Sequence, residues 1–427
     1  MTAMSTPGSF GRWLARKPVA LAVVATLAAF GAYTSMYAFR KPFTAATFSG
    51  LKLAGYDLKV LLVVAQMVGY TLSKFTGVKV VSEARPACRV GLIGGLIALA
   101  FLPLALLPFV PPPVQVACLL VNGLPLGMIW GLIFSFLEGR RMTEFLGLGL
   151  SVSFIFASGW TKSVGQLVIS RWGVPELVMP AVTGLLFVPL LTLCLWALAQ
   201  LPPPDAADVA DRSPRQPMDA AARRRFLRGF FLPIALLVLG YVLLTVYRDL
   251  RDTFMVEVLK ELGQKVEPLV FARVETFAGL GVMLALGGLW FIRDHWRALG
   301  VYHVIIIAGA AVVGGATLLF QAGVLSPVWW LSLTGLGVYL GYVPFNSILF
   351  DRLLAATRQV GTAAFLISVA DAAGYATTMV LYLVRLLWHD QISWARLTIL
   401  MSFALAALCP LLLLASWLSL RRHRHAA

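Results

Sequence analysis

Charge is scarce in this sequence. Only 13% of its 427 residues are Asp, Glu, Lys or Arg, where a soluble globular chain carries about 25%. With 59% hydrophobic residues and a mean hydropathy of +0.85, there is too little polar material to cover a surface facing water. A water-soluble enzyme is therefore not expected, and lipid is the covering that fits. Histidine is limited to 5 residues, and no paired acid/base or nucleophile motif lies in mid-membrane, which argues against an intramembrane enzyme. The four cysteines, Cys88, Cys118, Cys194 and Cys409, have neither metal-ligand nor disulfide spacing and read as small apolar packing groups. No G-x-x-x-x-G-K-[ST] loop occurs, so ATP-driven pumping is not expected. Neither cofactor nor metal is expected.

What the chain does have is apolar runs. Bounded by charges or by Pro/Gly clusters, they cover 18–48, 59–80, 90–110, 115–137, 147–170, 177–200, 229–255, 268–292, 300–321, 327–350, 361–385 and 394–419. Each can cross about 30 Å of hydrocarbon as a helix. Strands of a β-barrel would instead be segments of about 10 alternating residues. The first run follows Arg12, Arg16 and Lys17 but offers no A-x-A cleavage site, so it reads as a first membrane helix and not as a removed signal peptide. One connection is long: 201–228 is polar, Pro-rich and charged. The expected organisation is all-α and polytopic: an N-terminal six-helix bundle at 1–200, a linker at 201–228 and a C-terminal six-helix bundle at 229–427.

Lys and Arg counts orient the chain. With the N-terminus cytoplasmic, 21 basic residues fall in cytoplasmic segments and 8 on the opposite side: Lys52, Lys59, Arg171, Arg251, Lys260, Lys265, Arg385 and Arg396. Both termini and the linker are thus expected in the cytoplasm, most simply of a bacterial inner (plasma) membrane. The bias also accounts for the net charge of +16 without any nucleic acid.

Six basic residues remain in or near the ends of the runs: Arg40, Lys41, Lys74, Lys162, Arg248 and Arg273. The acids Glu275 and Asp371 share that property. A charge at the bilayer centre costs about 2.5–3.5 kcal/mol on insertion scales, so such groups need water, a partner or a ligand. Helical spacing aligns Tyr33, Tyr37, Arg40 and Thr44 on the first run, and Tyr241, Thr245, Arg248 and Asp252 on the seventh. The shared small–Tyr–x6–Arg pattern is a weak internal repeat. Six-plus-six helices around a central cytoplasmic linker is the major facilitator arrangement, in which solute binds near the midplane between two repeats. Tyrosine hydroxyls and guanidinium forks suit a phosphate or carboxylate. Bland readings stand beside this one. Arg40, Lys41 and Lys74 could snorkel to an interface, and Arg248 could join a loop-edge ion-pair network with Asp249, Arg251 and Asp252. Lys162, in mid-run, favours a functional or paired role. Asp371 could lock to Lys162 or carry a proton, and Glu275 is expected to neutralise a cation such as Lys41.

Tyr37-Ala-Phe-Arg40-Lys41-Pro-Phe43 resembles the Tyr-x-x-Arg-Lys-Asn-Phe of the organophosphate:phosphate antiporters, a branch of the major facilitator superfamily. Gly69-Tyr-Thr-Leu-Ser73-Lys74-Phe75-x-Gly77 resembles their second-helix motif. Tyr247-Arg248 through Leu259-Lys260-Glu261 is similar to their seventh-helix pattern, and Gly361-Thr-Ala-Ala364-Phe to the start of their eleventh helix. The resemblance implies that Arg40 and Arg248 hold a substrate phosphate, that Lys41 and Lys74 line the pathway, and that Glu275 pairs with Lys41. It also implies exchange of the organic anion for inorganic phosphate. The sequence departs from the pattern at Pro42, which replaces an asparagine, and at Thr161-Lys162, which replaces a central His-Asn. Candidate binding residues are therefore Arg40, Arg248, Lys41, Lys74, Tyr37, Tyr33, Tyr241 and Lys162, with Glu275 and Asp371 as coupling or pairing acids. The expected partners are a small anionic solute, phosphate or protons as the coupling ion, and the bilayer, with the protein acting as a monomer. A proton-coupled transporter of another solute and a non-transporting membrane sensor of a phosphate ester remain alternatives.

Overall fold

The computed structural model of this chain describes residues 9–138, 143–203, 220–289, 292–357, 363–387 and 392–426. Arg140, Arg141, Arg212, Arg215 and Arg358 of the topology count lie outside these, as do Gly361 and Thr362 and most of the expected linker. Two compact units are present, Met1–Arg212 with Glu267–Ala272, and Ser213–Val266 with Arg273–Ala427.

The first unit holds α1 (Ser9–Ala15), α2 (Pro18–Tyr37), α3 (Leu58–Glu83), α4 (Arg89–Leu106), α5 (Pro112–Leu137), α6 (Thr143–Trp172) and α7 (Met179–Ala199). The second holds α8 (Ala220–Thr253), α9 (Met255–Glu261), most of α10 (Val270–Gly287), α11 (His295–Gln321), α12 (Pro327–Ser347), α13 (Leu349–Thr357), α14 (Ala363–Leu387) and α15 (Trp394–Ala426). Among the described residues, ten helices are long and apolar enough to cross a membrane. Two of the twelve expected spans, α3 and α6, are not among the ten, though their 26 and 30 residues suffice in length. Prolines open α2, α5 and α12, where the missing N–H costs nothing. Large apolar side chains face outward throughout, such as Leu284 at 85% and Phe109 at 82% exposure, as a lipid-covered surface requires.

One expectation is corrected, and two features are added. The first run does not stay helical to residue 48. It ends at Tyr37, because Pro42 has no N–H for the carbonyl of Ala38 and its ring crowds that carbonyl. The backbone tightens there: Ala38, Phe39 and Arg40 donate to carbonyls three residues back, and Pro42–Ala45 is a 3-10 turn. The linker's last nine residues, 220–228, are helical and lead into α8. That helix bends at Phe230, three residues before Pro233. A two-residue hairpin also appears, pairing Lys52 with Asp57 and Leu53 with Tyr56. Its turn residues Ala54 and Gly55 both have positive φ, 52° and 84°, as a tight hairpin twisted with its strands demands.

In the first unit α3 and α5 make the closest approach. A Cβ at Gly69 would run into the Leu120 carbonyl, and one at Gly123 into that of Gln66.

Candidate functional site: an arginine on a tyrosine in each unit

In the first unit Arg40 sits on the turn after α2, 7% exposed. Its guanidinium lies 3.8 Å from the ring centroid of Tyr70 on α3 and 5.6 Å from that of Tyr37. Tyr33 packs edge-on against Tyr37, with centroids 5.3 Å apart, and the Lys74 ammonium lies 5.5 Å from the Tyr70 ring. Tyr33, Tyr37, Arg40 and Lys74 are thus gathered around one aromatic wall.

The turn that carries Arg40 has lost its helical bonds, so its carbonyls need other donors. Two buried amides supply them. Asn122 on α5 donates through Nδ2 to the Phe39 carbonyl at 3.1 Å and to the Ala100 carbonyl at 2.7 Å. Gln66 on α3 donates through Nε2 to the Arg40 carbonyl at 3.0 Å and to the Asn122 amide oxygen at 2.7 Å. Lys59 closes the same segment, giving its Nζ to the Thr44 carbonyl at 2.9 Å. Lys41 is buried on this turn. Lys162, wholly buried on α6, has its ammonium 5.3 Å from the Phe271 ring, in the short segment that clusters with this unit. Beside it the Ser163 hydroxyl accepts from the Ala272 N–H at 2.9 Å.

In the second unit α8 is continuous through the site, so Tyr241, Thr245, Arg248 and Asp252 share a helical face as their spacing predicts. Arg248 lies 4.2 Å over the ring of Tyr342 on α12, and Tyr342 stacks on Tyr241 with centroids 5.1 Å apart at 21°. The Tyr241 hydroxyl donates to Asp371 on α14 and accepts from the Asn346 amide at 3.0 Å. Asp249 accepts from the Tyr382 hydroxyl at 2.8 Å.

The acid Glu275 is taken by Arg251, at 2.6 Å, with neither side chain exposed. Arg251 also donates to the Leu331 carbonyl at 3.1 Å and lies against Gly335, where a Cβ would come within 2.9 Å of its Nη1. This corrects one reading: Arg251 is a buried core residue at the end of α8, not a loop cation on the outer face. Lys59, counted on that face too, is likewise buried. The reason is the same for both: they fall within the first or last turns of long helices, where a neighbour supplies a carboxylate or carbonyl before water does. Asp371 accepts from the Tyr241 hydroxyl.

Sequence reasoning passed over Gln66, Tyr70, Asn122, Tyr342 and Asn346. A signal was present for the amides: each is a carboxamide in an apolar run, and a buried amide must find partners. Tyr70 and Tyr342 carried none, since an aromatic in an apolar run is ordinarily core.

A guanidinium held by its face on a ring directs its N–H groups around its rim, the geometry that meets a planar or tetrahedral oxyanion with paired hydrogen bonds. Each unit carries one such group on its leading long helix or on the turn that ends it.

This arrangement of helices is the major facilitator fold, and the protein is a polytopic all-α membrane protein of that class. Within it, the chain belongs to the family DUF5690, a family of unknown function, which matches residues 42–423. The solved structure of the nucleoside transporter NupG is similar with a TM-score of 0.61, at 12% identity over 92% of this chain and 98% of that one. The D-xylose–proton symporter gives 0.60 at 14% identity, over 92% and 96%. The human organic anion transporter MFSD10 gives 0.54 at 14%, over 92% and 98%. At such identities the likeness is one of fold. No curated protein matches the sequence.

Proposed function

We propose that this protein is an alternating-access secondary transporter of a small organic anion, a phosphorylated solute exchanged for inorganic phosphate, and not an enzyme. One observation carries the reading: each unit buries an arginine at its leading helix and stacks it on a tyrosine, Arg40 on Tyr70 and Arg248 on Tyr342. Keeping a cation in an apolar span is costly unless a ligand or cavity uses it. Arg40 in one unit and Arg248 in the other are the proposed anion-binding groups, assisted by Lys41, Lys74, Lys162 and the tyrosines. The fold supports transport, since the neighbours named above are transporters of nucleosides, xylose and organic anions. From the charge bias we further propose that both termini and the linker are cytoplasmic; a bacterial inner membrane and a monomer are part of the same proposal.

The test is uptake of labelled phosphate and of sugar phosphates into proteoliposomes preloaded with phosphate. Wild type exchanges; Arg40→Ala and Arg248→Ala each lose exchange, and Arg→Lys recovers part of it. Undiminished exchange by both alanine variants removes the two-arginine site. Binding without flux in wild type identifies a sensor instead.

A further inference from the structure

Beyond transport itself, we propose that the end of the second unit where α8 begins and α15 finishes is a binding site for an anionic phospholipid. Arginines of both helices hold the headgroup phosphate, and the acyl chains lie on the exposed leucine face of α15. The two helices run antiparallel, side by side. The Ser416 hydroxyl donates to the Pro233 carbonyl at 3.0 Å, a Cβ at Gly240 would come within 2.7 Å of Leu413, and the Ser402 hydroxyl donates to that of Tyr247 at 3.0 Å. Arg228 stands five residues before Pro233, and Arg421 five after Ser416. Each therefore lies about 7.5 Å of helix beyond their shared bond, and the two helices bring their arginines to one depth.

Cations are concentrated at this end. Arg224, Arg225 and Arg228 open α8, and Arg421 and Arg422 close α15, both exposed. Arg297, exposed at the start of α11, is one turn from Gly300, where a Cβ would come within 3.1 Å of the Trp417 ring. No Asp or Glu occurs in 220–248 or in 394–427. Asp294, at the start of α11, accepts from the Arg297 backbone N–H at 2.6 Å. Arg224 and Arg225 stand four and three residues before Arg228, spacings at which like charges on a helix repel, so an anion that bridges them stabilises the turn. The break at Phe230 separates these basic first turns of α8 from its span.

The apolar surface at the same end distinguishes a lipid from a free phosphate. On α15 the exposed Leu411, Leu414 and Leu418 recur at three- and four-residue spacing, and Arg421 and Arg422 take the next turn of that face. On α8, Phe231 and Leu232 are exposed just inside the break. The Arg421 guanidinium lies 5.3 Å from the ring of Trp417, an aromatic of the kind that seats at headgroup level. Cations at the helix ends with leucines along the shaft match a phosphate diester that carries acyl chains. A guanidinium fork takes two of its oxygens. Basic clusters beside a span attract an anionic leaflet, each residue adding about fivefold in affinity.

The experiment uses the purified full-length protein in neutral detergent and reads retained lipid by native mass spectrometry across a titration. The probes are dioleoyl-phosphatidylglycerol, dioleoyl-phosphatidylcholine, and the first lipid in competition with inorganic phosphate. Phosphatidylglycerol is expected to bind at least about tenfold more tightly than the zwitterionic lipid with the same chains, and millimolar phosphate does not displace it. Arg421→Ser with Arg422→Ser weakens that binding by about 25-fold, the product of two fivefold contributions. Arg16→Ser with Arg85→Ser removes the same charge from exposed positions of the first unit and changes it by less than about twofold. Equal losses in the two double variants mean diffuse attraction and overturn the site. Equal affinity for the two lipids overturns the headgroup assignment. Displacement by inorganic phosphate overturns a lipid as the occupant. No variant touches Arg40 or Arg248, so failure of the anion-exchange reading and failure of this inference are separate outcomes.

Discussion

The two units bury charge differently. Among the described residues, the charged ones buried in the first are Arg40, Lys41, Lys59 and Lys162, all cations. Those in the second are Arg248 and Arg251 with Asp249, Asp252, Glu275 and Asp371. The first unit holds its cations on ring faces, backbone carbonyls and amides: Arg40 on Tyr70, Lys59 on the Thr44 carbonyl, and the Arg40 turn on Gln66 and Asn122. The second uses carboxylates: Arg251 on Glu275, and Tyr241 on Asp371. One fold therefore accommodates buried charge in two ways. A cation on a ring or a carbonyl dipole keeps its net charge available to a ligand. A cation bonded to a carboxylate does not, which separates Arg251, a structural residue, from Arg248, a candidate binding one.

The sharpest way to break this contrast is at the ion pair. Glu275→Ala leaves the Arg251 charge buried without its carboxylate and is expected to destabilise the protein by about 3–5 kcal/mol. Replacing both partners with Met and Leu should recover most of that. Thermal unfolding in detergent reads both, and a fully stable Glu275→Ala variant would make the pair incidental. A smaller effect is expected at the amides of the first unit. Asn122→Leu strips donors from the Phe39 and Ala100 carbonyls, costing about 1–3 kcal/mol, and it should raise the exchange KM because the Arg40 turn loosens. Unchanged KM would detach Asn122 from the positioning of Arg40. Smallest are the rings themselves. Tyr70→Leu and Tyr342→Leu each remove a cation–ring contact of about 0.5–2 kcal/mol. Binding of phosphate, followed by calorimetry, should weaken in both, more for Tyr342→Leu because Tyr241 also loses its stacking partner. Phe at either position should retain most of the affinity.

Much of the fold was legible because hydrocarbon imposes a simple rule. A span must be a long apolar helix satisfying its own backbone, so α4, α5, α7, α11 and α12 begin or end within a few residues of their apolar runs. The face of α8 carrying Tyr241, Thr245 and Arg248 could likewise be read from spacing alone, since nothing between them interrupts the helix. The matching stripe on the first run could not: Pro42 breaks the period, and Arg40 is placed by a turn whose shape depends on Gln66 and Asn122, residues on two other helices. The bond between Arg251 and Glu275 was not legible for a related reason: spacing along one helix says nothing about which neighbouring helix brings its charge closest.

Composition and the spacing of apolar runs by themselves determined that this chain is a bundle of membrane-length helices with rare, expensive charges at definite depths. Only tertiary structure decided which of those charges are bonded to carboxylates and which rest on rings, because such bonds form between residues far apart in the chain and depend on ångström-scale approach between helices. Glycine 69 and glycine 123 permit that approach between α3 and α5, and no periodicity within a single helix encodes it.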